Sequence, residues 1–155
     1  MNIYFLVEGK RTEMKVYPKW LSYLIPELQR STTFDSVTKN NYFIFSGNGF
    51  PSLLDNHLRN CVIDVNNAGN YDCFVICLDA DEQSIEACKQ EILDFMEKEN
   101  IRLNAKTEFK IIDKDGTISK LNTFEGIPSD KNYLNDALAD GNELFDSLLE
   151  IEQSL

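Results

Sequence analysis

Residues 72–81 (DCFVICLDAD) carry the most apolar run of the chain and end in Asp79-Ala80-Asp81, two carboxylates one residue apart. The stretch 72–78 is strand-length, rich in β-branched and aromatic residues, and shows no polar alternation. A strand without a polar face is buried on both sides, which is the habit of central strands in parallel sheets. Parallel neighbours need long crossovers, usually helical, so the reading predicts helices before and after this strand.

Both neighbours answer that expectation. Upstream, Leu54, Leu58, Cys61, Val62 and Val65 recur at helical spacing up to the break at residues 66–70. Pro51 suits that helix's first turn. Residues 41–45 (NYFIF) read as a strand, followed by the turn Ser46-Gly47-Asn48-Gly49. That turn either offers backbone N–H groups to an anion or simply joins strand to helix. At the start of the chain, residues 2–7 (NIYFLV) read as a buried strand ended by Glu8-Gly9. Thr12 could cap the helix that follows, with Met14, Tyr17, Leu21, Leu24, Ile25 and Leu28 on its apolar side. Pro18 is expected to interrupt or kink it, and residues 31–40 read as a loop. Tyr17, Trp20 and Tyr23 fit packing better than a base-stacking platform.

Downstream, a helix over about 83–99 buries Ile85, Cys88, Ile92, Phe95 and Met96. Residues 109–112 (FKII) form a further strand, and Asp115-Gly116 suits a hairpin turn returning through 117–121. An acidic helix is expected over about 131–152. The order β-α-β-α-β-α-β implies an α/β fold: a mostly parallel, Rossmann-like sheet of four to five strands with helices on both faces. Residues 1–121 form the domain, and 122–155 form an acidic helical extension packed on it.

With 155 residues, 43% hydrophobic and 26% charged, the chain has ordinary globular composition, which excludes extensive disorder. No apolar run is long enough to cross a bilayer, and the N-terminal stretch lacks the flanks of a signal peptide. A cytoplasmic location is expected. Cys61, Cys73, Cys77 and Cys88 form no CxxC pair and read as reduced core residues. His57 is the single histidine and reads as structural. The net charge of −11 argues against a protein that coats polyanions. Residues 1–30 nevertheless carry a local +2, with Lys10, Arg11, Lys15 and Lys19 near the first acids, whereas residues 121–155 carry −7.

The first and third long strands both end in acids. In open α/β sheets, ligands bind beyond the carboxyl ends of the strands. Asp79 and Asp81 could turn toward one hard cation such as Mg²⁺ or Mn²⁺, which prefers oxygen ligands. Glu8 could add a ligand or act as a general base, and Lys10, Arg11 and Lys15 could steer a nucleic-acid backbone. Asp113 and Asp115 form a second pair. Asp115 reads as a turn residue, and Asp113 is a candidate outer ligand.

Val7-Glu8-Gly9 with Thr12-Glu13 shortly after, then a hydrophobic strand ending Asp79-Ala80-Asp81, resembles the Toprim domain over roughly residues 2–113. That domain occurs in topoisomerases, bacterial primases, RNA maturases, recombination proteins and the overcoming-lysogenization-defect nucleases. The segment Val-Glu-Gly-Lys-Arg-Thr-Glu, followed by Val16-Tyr17-Pro18, is most similar to stand-alone nuclease-type Toprim proteins of antiphage systems. The resemblance implies Glu8 as catalytic acid or base, Asp79 and Asp81 as magnesium ligands, and Glu13 as a ligand to a second metal. The Glu8–Glu13 spacing is one residue longer than the common form in such nucleases. Larger relatives continue into further segments beyond the fourth strand. The implied function is therefore a metal-dependent nuclease, a defence effector that works with a partner such as an ATPase. The competing expectation is a catalytically inactive Toprim-like module that binds or regulates a partner through its acidic C-terminal face. A receiver-type phosphate-accepting domain fits the acids less well.

Overall fold

A computed structural model describes residues 1–79 and 84–113, with Asp113 placed by its backbone only. Asp81, the 115–121 hairpin and the acidic helix expected over 131–152 lie outside the described residues. In chain order the elements are β1 (Ile3–Val7), α1 (Thr12–Leu24), β2 (Gln29–Arg30), β3 (Asn41–Ser46), α2 (Phe50–Ser52), a π-helical stretch (Leu53–Leu58), α3 (Arg59–Ala68), β4 (Cys73–Leu78), α4 (Ile85–Lys98) and β5 (Glu108–Asp113). The five strands form one sheet in the order β2-β3-β1-β4-β5, and every pairing is parallel. The α/β architecture expected from alternation is present.

The sheet order fixes where a ligand site can lie. From β1 the chain passes through α1 to β3 on one side, then returns through α2 and α3 to β4 on the other side of β1. The reversal falls between β1 and β4, which are in register from Ile3↔Cys73 to Val7↔Cys77. Beyond the carboxyl ends of such a pair the two crossovers leave in opposite directions and open a crevice.

Period-two alternation along β1 sends its side chains to two cores. Ile3, Phe5 and Val7 meet Val16, Tyr17, Trp20 and Leu21 of α1 on one face. Tyr4 and Leu6 meet Leu58, Cys61, Val62 and Val65, with Cys88, Ile92 and Met96 of α4, on the other. Each such apolar side chain, fully buried, contributes about 1.5–3 kcal/mol. All six residues of β4 are buried, as the unbroken apolar run requires. The four cysteines are buried thiols outside any disulfide. Burial pushes the Cys61 and Cys73 thiols up to about 12, so they stay protonated and unreactive near neutrality.

Several local expectations are corrected. Thr12 is the first helical residue rather than the cap; Arg11 stands at the N-cap position and makes no side-chain capping bond. The helix α1 runs through Pro18, because Val16, Tyr17, Trp20 and Leu21 are held against the sheet on both sides of it. Tyr17 and Trp20 stack with centroids 5.9 Å apart, inside that core, while Tyr23 is exposed. Ile25 and Leu28 are buried beyond the helix end rather than within it. His57 packs edge-on to Phe45 at 5.3 Å, which fits its structural reading. The π-helical stretch and the two-residue β2 were not foreseen.

The amino edge of the sheet is closed by amides. The Asn2 side chain donates to Thr38 O and Asn70 O and accepts from Asn41 N, while Asn2 N donates to Asp72 Oδ2.

Candidate acidic site at the sheet switch point

Glu8 follows directly on β1, and three bonds fix it. Its N–H donates to Cys77 O on β4 at 3.1 Å, and its carbonyl accepts from Gly49 N at 2.9 Å. Its carboxylate Oε2 accepts the Asp79 N–H at 2.8 Å. The side chain thus reaches across the β1–β4 boundary and meets the first residue after β4. Sequence reasoning placed both acids at one sheet edge; the structure joins them by a charge-assisted hydrogen bond at the reversal point.

The turn at residues 46–49 is a connector, not an anion cradle. Gly47 N donates to Val7 O and Gly49 N to Glu8 O, while Asn48 N is directed to Ser46 Oγ. These amides are committed within the chain. Gly49 adopts φ 99°, ψ 152°, a region that only glycine enters easily. The residue therefore carries a function the sequence did not announce: it lets the turn double back and bond Glu8.

Glu13 lies in the first turn of α1 and is buried, with 5% of its surface exposed. A carboxylate suits the positive end of the helix. Its oxygens lie over Gly9: a Cβ built on Gly9 would come within 1.8 and 2.0 Å of them. Lys10, Arg11 and Lys15 are exposed. Their positions, between β1 and the first turns of α1, put positive charge in sequence beside Glu8.

Among the described residues no group of three or more His, Cys, Asp or Glu side chains is placed to hold a metal ion. Glu8 and Asp79 come together and the Glu13 carboxylate lies over Gly9, while Asp81 is outside the description. The strand β5 ends at Asp113, whose backbone pairs opposite Leu78 at the same sheet edge. No helix among the described residues is long and apolar enough to cross a membrane. No family model matches the chain, and neither the curated proteins nor the solved structures compared with it give a match.

Proposed function

We propose that the chain is a Toprim-like domain whose acidic edge binds Mg²⁺ or Mn²⁺ and supports phosphodiester hydrolysis of nucleic acid. The observation that carries this reading is the meeting of Glu8 and Asp79 at the switch point, with one Glu8 oxygen held by the Asp79 amide. The donor set is all oxygen, which suits a small hard cation that keeps several of its waters. Asp79 and Asp81 would hold the ion. When bound, such an ion stabilises negative charge on a phosphate and makes water a better nucleophile.

The chain's own residues would supply the rest. Glu8, oriented by its backbone and side-chain bonds, would take a proton from water or return one to the leaving oxygen. Lys10, Arg11 and Lys15 would draw the phosphate backbone to the edge despite the net charge of −11. A role as a defence effector working with a partner, an ATPase among the candidates, follows the resemblance described above.

The test is calorimetric titration of Mn²⁺ and Mg²⁺ into wild type and Asp79→Ala, followed by cleavage assays on DNA and RNA with Glu8→Ala. Wild type should bind, and Asp79→Ala should not while retaining its circular dichroism. Glu8→Ala should lower cleavage by about 10²–10⁴-fold, the usual worth of a general acid or base. Absence of binding to the wild type at millimolar metal would remove the reading. It would favour a module that engages a basic partner through the segment 121–155, whose net charge is −7.

A further inference from the structure

Gly9 follows the fixed residue Glu8, and its conformation does not explain why it is glycine. Among the described residues the glycines at positive φ are Gly49 and Gly69; Gly9 has an ordinary backbone that alanine could adopt. What an alanine would meet is the Glu13 carboxylate, which would have to shift to admit it. Its Cβ would lie 1.8 and 2.0 Å from the two Glu13 carboxylate oxygens and 2.1 Å from their carbon. The Glu13 carboxylate occupies the volume a side chain at position 9 would need.

We propose that Glu13 is the positioning residue of the acidic edge: its carboxylate, seated on the Gly9 α-carbon, holds the turn after β1 so that Glu8 stays aimed at Asp79. Three observations converge on this role. Glu13 is a carboxylate buried to all but 5% of its surface, and an acid is buried in that way only where its surroundings hold it. It belongs to the first turn of a helix whose N-cap residue, Arg11, makes no side-chain capping bond, so Glu13 is the acid that faces the helix's positive end. The residue it covers is covalently next to Glu8, which is tied to β4 through Cys77 O and Asp79 N and to the 46–49 turn through Gly49 N. Glu13 thus presses the turn from the α1 side while β4 and the 46–49 turn hold it from the others. Its role for catalysis rests on the metal reading above, but the seat itself does not.

The test uses the full chain without metal. A double-mutant cycle in thermal unfolding combines Gly9→Ala with Glu13→Ala, and nitrogen-15 spectra follow the Asp79 amide proton, which reports on the Glu8 bond. Gly9→Ala should lower the melting temperature of wild type and be close to neutral once Glu13 is alanine, since the obstacle is then gone. Glu13→Ala should move the Asp79 amide proton upfield and speed its exchange about tenfold or more. Glu13→Gln, which keeps the volume and one acceptor oxygen, should preserve the resonance. Additive effects of Gly9→Ala and Glu13→Ala, or an Asp79 amide unmoved in Glu13→Ala, would overturn the proposal. Should Gly9→Ala fail to fold, the Glu13 variants alone decide through the amide signal. Failure of manganese binding by wild type removes the metal reading and leaves these outcomes intact.

Discussion

At the amino edge of the sheet Asn2 is buried and its side chain makes three hydrogen bonds to backbone groups; at the carboxyl edge two acids, Glu8 and Asp79, meet where a Glu8 carboxylate oxygen accepts the Asp79 backbone amide. The chemistry of the two side chains explains the contrast. An amide has donors and an acceptor, so one asparagine can satisfy two carbonyls and an N–H at once. Ionised carboxylates only accept, so acids gathered at one edge cannot satisfy each other and must take protons or positive charge from elsewhere. The amino edge is therefore closed by the chain itself, from Met1, whose amino group donates to Asn40 Oδ1, to Thr107, whose hydroxyl donates to Tyr71 O. The carboxyl edge keeps acids where the crossovers diverge. Stability and candidate chemistry are assigned to opposite ends of the same strands.

The largest stability effect should come from the amino edge. Asn2→Ala leaves Thr38 O, Asn70 O and Asn41 N without their partner, and we expect a loss of about 2–4 kcal/mol in urea denaturation. Any metal affinity at the far edge should change by less than about twofold, because distant sites act independently. A large change in metal affinity would break the division between the two ends.

A smaller effect is expected from the carboxyl edge. Gly49 has open space where a Cβ would go, so Gly49→Ala tests its backbone conformation alone. The expected cost is about 1–3 kcal/mol, from forcing an L-residue into a glycine region. A loss below about 0.5 kcal/mol would show that the turn relaxes freely. Glu8 would then be held chiefly by β4.

How much of this was legible beforehand follows the same physics. The runs 2–7 and 72–78 could be read as strands because burial on both faces leaves a dense apolar signature, and 41–45 because its half-buried face is aromatic as well. The coincidence of Glu8 and Asp79 followed from strand ends alone. The two-residue β2 could not be read, since Gln29 and Arg30 are exposed and carry no pattern. Pro18 does not interrupt α1, because local preference yields to the packing of Tyr17, Trp20 and Leu21. Gly9 was read as the end of a strand, whereas its α-carbon supports the Glu13 carboxylate. That relation depends on a side chain folding back four residues, which no periodicity records. The left-handed and extended turns at Asn48 and Gly49 were legible as a turn, but not as one whose amides are spent on Val7 and Glu8.

The smallest effect separates burial from bond count. Arg59 Nη2 donates to the Glu99 carboxylate at 2.7 Å and to its carbonyl at 3.1 Å, joining α3 to the end of α4. By number these bonds approach those of Asn2, and one is charge-assisted. Both side chains are nevertheless open to water, with exposures of 50% and 36%. Solvent replaces the lost partners, and salt screens the charges. Arg59→Ala should therefore cost less than about 1 kcal/mol, and less again at high salt. Denaturation at two ionic strengths measures this directly. A loss as large as that of Asn2→Ala, insensitive to salt, would mean that the helix layer rather than the amide network holds this end of the sheet together.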